Sequence, residues 1–231
     1  MPPETSSSAD PDRSSLTSSM MKGFTTLFIG THDAPMHFPP TMTARNAINN
    51  VLKGRVEVVA EREVVNALGE TLMVPEIVRS KHLFEGLHNR ITGIPASFNL
   101  RNLALREGFR CQYDPDAPLL KLRSSEPETR GTFDHIVPAS QGGERAWLNA
   151  AFTSETLNVW KADRTPREAG LYLLHEPWVP TIQDMLYLQI RHWLMHVSLP
   201  ERWKYYIENI RPTPNVLRVL EKRGDDIYHA A

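Results

Sequence analysis

Asp134 and His135 stand side by side in Phe133-Asp134-His135-Ile136-Val137-Pro138. Two amides follow at intervals, Asn149 in Trp147-Leu148-Asn149 and Asn158 in Asn158-Val159-Trp160-Lys161. Histidine can act as a general base near neutral pH. A carboxylate and an amide oxygen are hard ligands suited to Mg²⁺, which keeps several waters and takes few protein ligands. A base for water and a positive centre for phosphate and leaving oxygen are what hydrolysis of a phosphodiester requires. Neighbours on a strand point to opposite faces, so Asp134 and His135 can serve one site only where a strand ends or twists. Pro138 and the Gly142-Gly143 turn supply such an ending.

Each residue also has a plainer role. An isolated Asp-His pair is ordinarily a structural hydrogen bond, and the ordered set of motifs is what gives it a chemical reading. Asn149 reads equally as a loop-capping amide. A lone lysine such as Lys161 is ordinarily solvated, and Trp147 reads as a core anchor. Cys111, the one cysteine, reads as buried; it can form neither an internal disulfide nor a cysteine-rich zinc site. His192 and His196 share a helical face at i, i+4 and, with His175, suggest a metal. The Glu of a His-Glu-x-x-His motif is missing, so surface or packing roles are favoured.

The elements that must position these residues are legible in part. Thr43 to Gly54 has apolar residues at helical spacing with a cap and a stop, and Arg55–Ala60 and Leu72–Val74 read as short strands. Phe98 to Glu107 is helical in rhythm. Leu119–Arg123 and Gly131–Val137 read as extended pieces around a polar loop, Ser124–Arg130. Thr165-Pro166-Arg167-Glu168 forms a capping box, which predicts a helix to about Leu174. Ile182 to Val197 is apolar on nearly all sides, a buried helix or partner surface. The aromatic cluster Trp193, Trp203, Tyr205 and Tyr206 suits packing of a C-terminal subdomain or a dimer contact.

The bulk numbers set bounds. The 231 residues suit one large domain or a small one with extensions, and 41% hydrophobic content supports a core. Lys and Arg total 26 against 27 Asp and Glu, so any phosphate binding must come from a local basic face. No stretch is long enough to span a membrane, and the apolar run Phe24–Ile29 is too short for a signal-peptide core, so a cytoplasmic location is expected.

The ordered set Asp134-His135, Gly-rich loop, Trp147-x-Asn149, then Asn158-x-x-Lys161 resembles the HNH endonuclease family. The similarity is tight from Phe98 to Leu174 and looser from Asn46 to Pro75. It implies an α+β protein whose central ββα-metal module occupies 96–175. Around it the reading places a disordered leader at 1–22, an N-terminal αβ extension at 23–95 and a C-terminal helical extension at 176–231. By that resemblance His135 is the general base and Asn149 fixes the region of His135. Asp134 and Asn158 hold one divalent metal, Mg²⁺ or Mn²⁺, and Lys161 contacts phosphate. The implied partner is DNA, with RNA as the alternative, no membrane, and a homodimer or protein contact through the C-terminal helices. The rival reading is a catalytically silent HNH-like binding module. Many family members carry a structural zinc on two Cys-x-x-Cys pairs; here Cys111-Gln112-Tyr113-Asp114 and Ser154-Glu155-Thr156-Leu157 stand at those places. Zinc is therefore not expected, and Leu157 is expected to fill the gap by apolar packing.

Overall fold

The computed structural model describes residues 25–30, 40–65, 69–81, 93–208 and 210–225. The expected leader, 1–22, lies outside them. The protein is a mixed α+β chain with six α-helices and two sheets among the described residues. It divides into two compact units between Glu85 and Gly86. None of the described helices is long and apolar enough to cross a membrane.

The first unit holds β1 (Thr25–Ile29), β2 (Thr41–Thr43), α1 (Ala44–Leu52), β3 (Val56–Val65) and β4 (Thr71–Ser80). The sheet order is β2-β1-β4-β3, with β1 parallel to β4 and the other pairs antiparallel. Thr43 caps α1 through the Asn46 amide, and Ala47 packs on Val56 and Val78. Both β3 and β4 run ten residues, well beyond the short strands expected from Arg55–Ala60 and Leu72–Val74. They mate along their whole length around an irregularity at Ala60, beside the Glu61–Pro75 pair, where a strand tolerates proline.

The second unit begins with α2 (Leu100–Arg106), capped by Asn99. Two strands, β5 (Gly131–His135) and β6 (Ala150–Ser154), form an antiparallel pair from Gly131↔Ser154 to His135↔Ala150. Helix α3 (Glu155–Lys161) starts directly from β6, with the Ser154 side chain accepting the Leu157 amide. Then come α4 (Ile182–His196), α5 (Glu201–Ile207) and α6 (Pro214–Arg223). A capping box of Thr181 and Asp184 starts α4, and Asp184 also accepts hydrogen bonds from Thr213 and Asn215 at the start of α6. Leu103, Phe152, Met185, Tyr187 and Ile190 are buried.

Two expectations are corrected. The Thr165/Glu168 box forms, yet it opens a single hydrogen-bonded turn and no helix to Leu174. Gly170 at φ +72° turns the chain out of the helical path. Leu119–Arg123 forms no strand; only Lys121 bridges, to Arg130.

Candidate functional site

The candidate residues gather around the end of β5. Asp134 is buried on the side of β5 that meets α3. Lys161, at the last turn of α3, reaches it from inside. Its Nζ donates to Asp134 Oδ1 at 2.9 Å and to the His135 carbonyl at 2.7 Å. The Tyr113 hydroxyl donates to the other carboxylate oxygen at 2.5 Å. Asp134 is thus a buried carboxylate that is ion-paired and twice hydrogen-bonded, the condition under which a buried charge is tolerated. Burial, the hydrogen bond to Asp134 and the carboxylate's charge all push the Tyr113 phenol up, so it remains a donor.

Lys161 is therefore not placed as the phosphate contact expected from the sequence. Its side chain is 1% exposed and its ammonium is spent on Asp134 and His135. The residue sits where a positioning group would sit.

Asn158 lies one turn earlier on α3. Its Nδ2 donates to the Phe133 carbonyl at 3.0 Å and to Thr132 Oγ1 at 3.2 Å. Its Oδ1 has no protein partner among the described residues. Asn149 grips the loop that leaves β5. Its Oδ1 accepts the Val137 amide at 2.7 Å, and its Nδ2 donates to the carbonyls of Val137 at 3.0 Å and Glu144 at 2.9 Å. Gly143 is needed here: a Cβ on it would lie 1.7 Å from the Val137 oxygen.

His135 is half-buried, its ring edge-on to Phe133 with centroids 4.4 Å apart. Strand alternation puts Phe133 and His135 on one face of β5 and Asp134 on the other. No hydrogen bond joins the imidazole to Asp134, Asn149 or Asn158 among the described residues. The structure thus brings Asp134, Lys161 and the Asn158 amide together around one stretch of backbone, and connects His135 to them through its carbonyl.

Two residues of this neighbourhood escape the sequence motifs. Tyr113 belongs to the quartet Cys111–Asp114, where a cysteine pattern draws attention to its ends. Arg145 is an exposed cation whose guanidinium lies 5.7 Å from the ring centroids of both Phe98 and Phe133. It shares the Phe133 ring with His135, and no spacing rule singles out one arginine in a loop. Trp147 is a core anchor, 7% exposed, with its indole donating to the Ala96 carbonyl. Cys111 is buried 3.3 Å from Thr153 Oγ1. Leu157 is half-buried, and the Asp114 carboxylate caps its own loop at the Asp116 amide. His192 stacks on Phe109, and His175 sits in a separate cavity.

Asp134 and Asn158 offer hard oxygen donors, the type that suits a divalent cation keeping most of its water. Asp134 uses two of about four acceptor positions, and the unpartnered Asn158 oxygen is a second hard donor. No group of three His, Cys, Asp or Glu side chains suited to a metal occurs among the described residues. No family model, curated protein or solved structure matches the chain.

Proposed function

We propose that the chain is a divalent-metal-dependent endonuclease of the HNH type, with β5, β6 and α3 as its ββα-metal module. One observation supports this above the others: residues far apart in sequence all engage the backbone from Phe133 to Val137. Asn158 holds the Phe133 carbonyl, Lys161 the Asp134 carboxylate and the His135 carbonyl, and Asn149 both polar groups of Val137. Such convergence fixes the one strand end that carries an Asp-His pair.

DNA is the proposed substrate, with RNA open to the same chemistry. His135 is the base: its half-buried imidazole, held by Phe133 and without a protein acceptor, can take the proton of an attacking water. Asp134 and Asn158 would hold one Mg²⁺ or Mn²⁺, which when bound supplies positive charge to the phosphate and the leaving oxygen. Lys161 and Tyr113 orient the Asp134 carboxylate. Arg145 takes the phosphate contact, since a guanidinium pairs with phosphate oxygens in a fixed fork.

The Lys161–Asp134 pair favours one other reading, a catalytically silent HNH-like binding module. The ammonium already neutralises the carboxylate that a cation would use. Cleavage of supercoiled plasmid in Mg²⁺ or Mn²⁺ separates the two. The nuclease reading expects nicking or linearisation by wild type that EDTA and His135→Ala abolish. Inertness of wild type on plasmid, single-stranded DNA and RNA would leave the binding module.

A further inference from the structure

Helix α6 and the segment Leu174–Trp178 line a half-open cavity of about 430 Å³. Its lining includes His175, Trp178, Arg218, Lys222 and Arg223. None of these belongs to the Asp134–Asn158 site.

The charges around this cavity do not cancel. Arg106 and Arg223 share one carboxylate, Glu107, at 2.5 Å and 2.7 Å, and none of the three side chains is more than 5% exposed. Arg106 spends three of its four remaining N–H groups on the carbonyls of Trp147, Trp178 and Ala150. Two buried guanidiniums thus face one carboxylate, with the Arg110–Asp225 pair beside them. Arg218 and Lys222 add two exposed cations at the cavity, where Glu176 is the one lining carboxylate among the described residues; Glu107, Asp114 and Asp225 line an adjoining cavity that shares His175 and Arg223. Burial, and then the nearby Arg223 charge, push the His175 imidazole below its ordinary range, against the opposing pull of Glu107 and Asp225.

Lys222 and Arg223 also complement the dipole at the C-terminal end of α6. That role requires neither Arg218 nor the shared carboxylate.

We propose that this cavity is a phosphoryl-binding site that takes the phosphate of a nucleotide or of a nucleic-acid strand. An anion rich in acceptors pairs with the cations that line the cavity. The volume lies within the roughly 300–1,000 Å³ of small-ligand sites, which leaves room for a sugar or base beside the phosphate. The proposal stands apart from the nuclease reading, because the two sites share no residue.

The test is calorimetric titration of the full chain, with EDTA present, against adenosine monophosphate, adenosine, and a short oligonucleotide with and without a 5′-phosphate. The same titrations are run on Arg218→Ala/Lys222→Ala and on His135→Ala. Both substituted cations are exposed, so the double variant is expected to melt with wild type. The expected result is saturable binding of a phosphorylated ligand that the double variant weakens about tenfold or more and His135→Ala leaves intact. Binding of the mononucleotide identifies a free nucleotide as the source, and binding of the oligonucleotides alone identifies a strand. The proposal is overturned if no phosphorylated ligand binds, if adenosine binds as well as its monophosphate, or if the double variant binds like wild type.

Discussion

Lys161 Nζ lies 2.9 Å from Asp134 Oδ1, and the two side chains are 1% and 4% exposed. An ion pair this deep is worth less than its distance suggests, because both charges were desolvated to form it. Breaking it is another matter, since the surviving charge stays buried without a partner. Lys161→Met is predicted to destabilise the second unit by about 3–5 kcal/mol. Chemical unfolding of the single variant and of Asp134→Asn/Lys161→Met measures this. The double variant should recover part of the loss, as residues in direct contact are not additive. A cost below about 1 kcal/mol for the single change would place the ammonium in solvent.

Asn149 binds Val137 through both halves of its amide. Asn149→Asp keeps the acceptor for the Val137 amide but sets a carboxylate against the carbonyls of Val137 and Glu144. We predict a stability loss of about 1–3 kcal/mol for Asn149→Asp, the scale of two lost hydrogen bonds. Hydrogen exchange at Val137 gives a local readout. Faster exchange there, with β6 still protected, is expected if Asn149 clamps the loop; unchanged exchange would remove that role.

The sequence makes some of this architecture legible because the signals are local. Helix α1 follows from apolar spacing behind the Thr43 cap, and α4 from the dense apolar run after Thr181. The end of β5 at His135 is marked by Pro138 and the Gly142-Gly143 turn. What fails to show depends on distant partners or on a local conflict. The Thr165/Glu168 box is a true start signal, but Gly170 at φ +72° ends its structure after one turn. Leu119–Arg123 has strand-like residues and meets only one bridging partner. Lys161 appears solvated to any reading of its own helix; Asp134 and Tyr113, brought from elsewhere in the chain, make it a buried ion. Arg145 gains meaning only from Phe98 and Phe133, which no pattern around it predicts.

His192 stacks on Phe109 with centroids 4.4 Å apart. Burial first, then the charges of His196, Arg101 and Arg191, push its imidazole from 6.5 down to about 4. The folded state therefore binds fewer protons than the unfolded state between those values, and stability rises with pH across that window. The penalty is absent above about pH 6.5 and grows as pH falls toward 4. Because the ring is partly exposed, we expect about 1–2 kcal/mol from it. Melting temperatures of wild type and His192→Phe from pH 7 to 4 check this. The variant should lose less stability on acidification, and parallel curves would remove His192 as a source of acid sensitivity.

Arg145 and Lys161 make opposite predictions for nucleic-acid affinity. Arg145 is exposed and shares the Phe133 ring with His135, whereas Lys161 is buried behind Asp134. In a His135→Ala background, which the proposed mechanism expects to be unable to cleave, binding of a labelled duplex is followed across a salt series. Each phosphate contact contributes about 0.9 to the slope of log affinity against log salt. Arg145→Ala should weaken binding by about five- to tenfold and lower the slope by about one contact. Lys161→Met, at a temperature where it remains folded, should leave the slope unchanged. If Lys161→Met lowers the slope and Arg145→Ala does not, the ammonium leaves Asp134 when nucleic acid binds. The carboxylate would then be freed for a cation only in the complex, and metal affinity would have to rise with substrate present.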